Sequence, residues 1–157
     1  MVTALRAPSL KRPALRRRQQ HLTRKHPVKL GYTIVYVSDV ASTLAFFEKA
    51  LGLQRKFLHD SGSYGELSTG ETTLAFAAHE LGDMNFAGGH VRVDQSAQPL
   101  GFEIAFVTDN VQQAHAQAIA VGATEMAAPK DKPWGQTVSY LRSPEGILIE
   151  LCTAVGG

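Results

Sequence analysis

From Tyr32 to Val37 apolar side chains alternate on both faces of a period-two pattern, with Thr33, Val35 and Val37 on one and Tyr32, Ile34 and Tyr36 on the other. That pattern predicts a strand covered on both sides. Val40, Leu44, Phe47 and Leu51 then recur at spacings of three and four, the apolar stripe of a helix that opens after Asp39 and closes at Gly52. Residues such as Glu48 and Lys49 are left to solvent. Strand-like runs follow at 54–59, 64–68 and 72–77, separated by turns at Ser61-Gly62 and Thr69-Gly70.

The same order recurs later in the chain. TIVYVSDVASTLAFFEKALG from Thr33 aligns without a gap on EIAFVTDNVQQAHAQAIAVG from Glu103, placing Asp39 on Asp109 and Gly52 on Gly122. Val111, Ala114, Ala118 and Val121 give the second helix its stripe, with Gln113 and Gln117 exposed, and strands are predicted at 124–127, 137–141 and 148–153. Each half therefore reads βαβββ: module 1 at about 29–80, a glycine-containing linker at 81–100, and module 2 at about 101–155. The fold class is α+β, with the two modules pairing into a curved mixed sheet around a cleft. One helix covers only one face of each sheet, so the other face lines a core or a concave pocket, where a ligand would sit.

Charge changes this picture at one end. Nine of the 16 Lys and Arg precede the first acidic residue, Asp39, so the net charge of +2 divides into a basic leader and an acidic domain. The leader, residues 1–28, carries Pro8, Pro13 and Pro27 and no sustained periodicity, which predicts a disordered segment. Its Arg-rich, acid-free composition also suits an organelle transit peptide, although no secretory apolar stretch is present. An acidic folded part argues against a specific nucleic-acid partner, and apolar runs far below the roughly 20 residues of a spanning helix argue against a membrane. Cys152 is the only cysteine, which excludes an intramolecular disulfide, fits a reducing cytoplasmic compartment, and reads as a small buried apolar residue rather than a nucleophile.

The opening VSDVASTLAFFEKALGL of module 1, together with FVTDNVQQAHAQAIAVGA and SPEGILIEL of module 2, resembles the vicinal oxygen chelate superfamily. That group contains glyoxalases, fosfomycin-resistance proteins, extradiol dioxygenases and bleomycin-binding proteins, and the resemblance spans Lys29 to Val155. It implies a glyoxalase-like fold, a homodimer, and in the metal-using members a divalent ion. The ion is held by His near the start of each module's first strand and by Glu in the last strand. Seven residues before Asp39 and Asp109 stand Tyr32 and Phe102, and four after Gly146 stands Glu150, so of these only Glu150 matches. A one-residue bulge in module 2 would bring Glu103 to the ligand position and pair it with Glu150.

Without imidazoles at those positions a tightly held transition metal is not expected. Tyr32, Tyr36, Phe102, Phe106 and Trp134 would make the cleft aromatic, suited to a flat small-molecule ligand. This favours a metal-free binder of the bleomycin-resistance type. Its alternative is a metal-dependent lyase or dioxygenase binding Ni, Zn, Mn or Fe through Glu150, Glu103 and His79. Glu150 and Glu66 are the candidate catalytic carboxylates, Glu150 because it stands among apolar neighbours on a predicted strand and needs a proton, a hydrogen bond or a wet cleft. His115, on a helix face, is expected to be exposed.

Overall fold

The computed structural model describes residues 28–155. The basic leader, apart from Val28, lies outside the described residues. Two four-stranded mixed sheets form, with orders β1-β4-β3-β2 and β5-β8-β7-β6. Sheet A comprises β1 (Tyr32–Val37), β2 (Gln54–Leu58), β3 (Tyr64–Ser68) and β4 (Thr73–Ala78), and sheet B comprises β5 (Ile104–Val107), β6 (Thr124–Asp131), β7 (Thr137–Arg142) and β8 (Leu148–Cys152). In each, the first strand runs parallel to the last and the other pairs are antiparallel. This is the duplicated βαβββ, α+β architecture expected from the repeat, with the sheets not closed on each other.

Helix α1 (Val40–Leu51) starts where the Oδ1 of Asp39 accepts the Ser42 N–H at 2.8 Å, and ends at Gly52, whose φ of 67° places it in the left-handed region. Helix α3 (Val111–Ala120) is two residues shorter and is capped by Asn110, which accepts the Gln113 N–H at 3.0 Å. Asp109, aligned with Asp39 in the sequence, is not the cap. Asn serves a helix N-terminus as well as Asp does, so the shorter helix starts one residue later. The structural equivalence of the first strands is therefore offset by one from the gapless alignment, and Glu103, not Phe102, takes the place of Tyr32.

Helix α1 buries more than its predicted stripe. Thr43, Phe46 and Ala50 are buried along with Val40, Leu44 and Phe47, because α1 packs on β2, β3 and β4 on one side and on α3 on the other. Helix α3 lies on β6, β7 and β8. The two helices thus form the middle of the molecule and the sheets its outside. Phe47, fully buried, shows the consequence: its ring stacks on Phe76 of sheet A at 5.1 Å between centroids and meets Phe106 of sheet B at 6.0 Å. Leu67, Leu74, Leu141, Ile149 and Leu151 complete this shared core. His115, expected to be exposed, is 4% exposed and bonded through Nε2 to Glu125 Oε2 at 2.8 Å, because its side of α3 faces β6 and β7.

A third helix, α2 (His79–Asn85), follows β4 directly and begins the connection to module 2. The connection is clamped to sheet B by Arg142, whose guanidinium donates to the carbonyls of Val93, Ser96, Ala97 and Gly146. Ser38, after β1, donates its backbone N–H to the carboxylate of Glu145 in the β7–β8 turn at 3.0 Å. Together these tie module 1 to module 2 away from the helices.

Candidate functional site

Alternation along the strands sends Val35, Val37, Leu67, Leu74 and Phe76 inward to the helices and the intervening residues outward. The outer face of sheet A accordingly presents Tyr32, Ile34 and Tyr36 on β1, Ala75 and Ala77 on β4, and Tyr64 and Glu66 on β3. A bulge in β2 sets two residues, Lys56 and Phe57, against Glu66 on this face. Glu66 is 5% exposed, yet its charge is matched: Lys56 Nζ stands 2.8 Å from Oε2, and the Tyr64 hydroxyl donates to Oε1 at 3.0 Å. Burial first, then donation to Glu66, pushes the Tyr64 phenol up to about 12. The Glu66 hydrogen bond, then its charge, holds the Lys56 ammonium above the ordinary lysine value. Both oxygens of Glu66 are engaged, which leaves it poorly suited to act as a free base.

The outer face of sheet B carries a different group. The register pairs Ala105 with Glu150 and Tyr140 with Glu150, and Glu103 precedes Ala105 by two on the same face. The hydrogen-bonding carboxyl of Glu150 beside it, then burial and the charge of Glu150, hold the Glu103 carboxyl above the usual carboxylate range. Burial, followed by the charges of Glu150 and Glu103, raises the Tyr140 phenol. Burial raises the Cys152 thiol as well, with Glu150 adding to it, so Cys152 stays protonated and is no nucleophile.

The structure brings together Glu103 and Glu150, and separately Tyr32, Tyr36 and Glu66. With α1 and α3 packed on each other and each covering the inner face of its own sheet, both sets lie on the sheet faces turned from the helices. Other sequence candidates lie elsewhere. Phe106 points inward to Phe47, since the one-residue offset exchanges the faces of β5. Phe102 precedes β5 and is 47% exposed, and Trp134, in the β6–β7 turn, is 62% exposed, donates its Nε1–H to Gln136 at 2.8 Å and has Lys132 Nζ over its ring at 5.9 Å. His79 opens α2 and is 1% exposed, bonded to His90 rather than to either glutamate. Tyr140 and Lys56 were not anticipated, although each is a period-two neighbour of a carboxylate across a strand pair.

These residues do not fit a transition metal. The four positions equivalent between modules hold Tyr32 and Ala75 in module 1 and Glu103 and Glu150 in module 2: two hard carboxylates, one phenol, no imidazole. Among the described residues no three or more His, Cys, Asp or Glu stand where they could hold one ion.

Solved structures with this fold include a glyoxalase/bleomycin resistance protein/dioxygenase family enzyme from Burkholderia phytofirmans. It is 24% identical, with 82% of this chain and 100% of that one covered and a TM-score of 0.68. A glyoxalase-related enzyme from Fulvimarina pelagi is 15% identical over 80% and 88% of the two chains, with a TM-score of 0.68. A superfamily member from Sphaerobacter thermophilus is 20% identical over 81% and 98%, with a TM-score of 0.61. A comparison with curated proteins finds no match. The sequence pattern of the Glyoxalase/Bleomycin resistance protein/Dioxygenase superfamily matches residues 29–151, and with the duplicated modules this places the chain in that superfamily.

Proposed function

We propose that this protein binds a small molecule without a transition metal, as a homodimer in which sheet A of one chain and sheet B of its partner form the two walls of a cleft. The carrying observation is the Glu103–Glu150 pair, two carboxyl groups side by side at the place the superfamily's metal-using members give to an ion, with the Glu103 carboxyl held above the usual carboxylate range. The back-to-back packing supports the dimer. It leaves Tyr32 at 55%, Ile34 at 46% and Val107 at 66% exposure on two outward faces, each half of a cleft.

The paired walls define the ligand. Tyr32, Tyr36 and Phe57 offer flat apolar surface to a planar body, and the carboxyl pair opposite takes a hydrogen-bond donor or a cation. A planar aromatic amine combines both. The test is thermal unfolding and Trp134 fluorescence with planar aromatic amines and their neutral isosteres, alongside metal content after incubation with Ni, Zn, Mn and Fe(II) and desalting. Binding at about 100 times Kd adds about 2.7 kcal/mol and raises Tm by several degrees. Stoichiometric retained metal, lost in Glu150→Ala, together with no amine binding, would overturn the proposal in favour of the metal-dependent enzyme.

A catalytic reading is favoured by the same carboxyl pair. One carboxylate of the pair can accept a proton from a bound substrate while its neighbour's carboxyl donates one, the requirement of a metal-free isomerase or lyase. Glu150 and Glu103 would carry it. Exchange of solvent deuterium into bound ligand, absent in Glu150→Gln, separates catalysis from binding.

A further inference from the structure

On the outer face of sheet A the strand register sets side chains in rows. Ile34, Ala75 and Glu66 stand in one row with Phe57 beyond them, Tyr36, Ala77 and Tyr64 stand in the next, and Tyr32 opens the face at the start of β1. Successive rows lie about 6.6 Å apart, so about 13 Å separates Tyr32 from Tyr36. Tyr32, Ile34 and Phe57, at 55%, 46% and 40% exposure, leave the first part of this face open. The other end is closed. Helix α2 turns off β4 directly after Ala78 and contacts β1, and the residues that follow it cover Tyr36.

Packed rings make that closure. His90 lies tilted on the Tyr36 ring at 4.8 Å between centroids, Phe86 meets Tyr36 edge-on at 6.2 Å, and Phe86 and His90 meet each other at 6.1 Å. Gly82 is what lets α2 come so near, since an added Cβ would stand 2.9 Å from the His90 ring and 3.1 Å from the Tyr36 ring. The segment is also anchored beyond the rings: Arg142 donates to the carbonyls of Val93, Ser96 and Ala97, and Val93 is buried in the shared core. A cluster packed on one side and anchored on the other is a fixed wall and not a lid. Phe86, 43% exposed, is the ring of this wall with the most surface left for a ligand.

We infer that this wall limits the length of the planar body the cleft accepts, and that Phe86 sets the limit. The inference rests on the binding reading above. Glu103 and Glu150 occupy in module 2 the positions of Tyr32 and Ala75 in module 1, so an amine held by the carboxyl pair stands level with the Tyr32 end of the facing sheet. Its rings gain burial only by extending from there towards Tyr36, because the other direction leads off the sheet into water. Of the roughly 13 Å available, van der Waals contact with the wall takes about 3.5–4 Å. What remains holds two fused aromatic rings and not three in line. The ligand class narrows accordingly to amines of one or two rings.

The experiment measures calorimetric dissociation constants of the full chain for aniline, an aminonaphthalene and a linear aminoanthracene. Wild type, Phe86→Ala and Phe86→Trp are compared, with the unliganded Tm of each as the check on folding. Wild-type affinity should rise by about tenfold or more from the first ring to the second and gain nothing from the third. Phe86→Ala should bind the aminoanthracene about tenfold tighter than wild type does while leaving aniline within about twofold. Phe86→Trp should move the limit the other way and weaken the aminonaphthalene first. Met84→Ala, on the same helix and 80% exposed, should change none of these constants. Equal weakening of all three amines in Phe86→Ala would overturn the limit, because Phe86 would then be a contact and not a stop. Wild-type affinity that keeps rising with the third ring would overturn it as well, and that series stands alone if a variant does not fold. If no amine binds the wild type, the binding reading itself fails, whereas binding with a length dependence indifferent to Phe86 removes only the limit.

Discussion

Glu103 and Tyr32 occupy the same place in the two copies of one module, and the difference between them sets the chemistry of the two sheet faces. The raised carboxyl of Glu103 gives a testable pH dependence. A group whose folded value lies above its unfolded one contributes stability that is present below the unfolded value, about 4.3 for glutamate, and is lost as pH rises through the folded one. Tm should therefore drift down as pH rises above about 4 in the wild type. Glu103→Gln, which keeps a donor for Glu150, should flatten that drift in calorimetry, and a Tm profile unchanged by the substitution would contradict the raised Glu103 carboxyl. At this scale the sequence was half legible. Glu150 was singled out by its apolar neighbours, but whether Phe102 or Glu103 joined it hung on one residue. Asp109 and Asn110 are equally good caps, and a slip of one exchanges every face of the strand that precedes them. The same slip moved Phe106 from the expected cleft into the core.

Among the elements, α1 is the best specified and the most demanding. Its cap, stripe and terminal glycine were all readable, whereas its second buried side was not, since Thr43, Phe46 and Ala50 look like an ordinary helix flank until α3 is known to pack there. Asp39→Ala should cost about 1 kcal/mol in denaturant unfolding. Because the Ser42 hydrogen bonds hold the Asp39 carboxyl below its ordinary value, its contribution is present above the unfolded value and is lost as pH falls through the folded one. The tightest contact of α1 is with Gly65 of β3, where an added Cβ would stand 2.6 Å from Leu44 Cδ1 and 3.2 Å from the Phe57 carbonyl. Gly65→Ala must displace the buried Leu44 side chain and crowd the Phe57 carbonyl, at about 1–3 kcal/mol of overpacking, whereas the same change at open, negative-φ Gly31 should be near neutral. Helix α2 was not predicted at all. Seven residues with a glycine in the middle carry no helical periodicity, and what holds them is the contact of Gly82 with His90 and Tyr36, which no local pattern announces.

For the whole molecule, the repeat made the duplication legible but not the relation between its halves. Pairing the modules through their helices and pairing them through their open faces bury the same stripes, and the sequence distinguishes them only through α1's extra buried residues. The observed packing buries the helices and leaves both outer faces wet, with Tyr32 and Ile34 on one and Ala105 and Val107 on the other. A monomer with those faces is an incomplete container. Its small apolar patches and unpaired β1 and β5 edges are explained together if a second copy covers them. Ile34→Arg with Val107→Arg, both at exposed positions with no packing to lose, should leave the fold and the unfolding midpoint of the isolated chain unchanged while shifting sedimentation from dimer to monomer. If the dimer builds the cleft, ligand-induced stabilisation disappears in the same variant. Should the variant remain dimeric and still bind, the cleft lies elsewhere, and the groove of about 530 Å³ between α1's C-terminus and α3, floored by Leu53, Phe106 and Leu151, becomes the place to look. A monomeric wild type that binds with full affinity would point to the same groove.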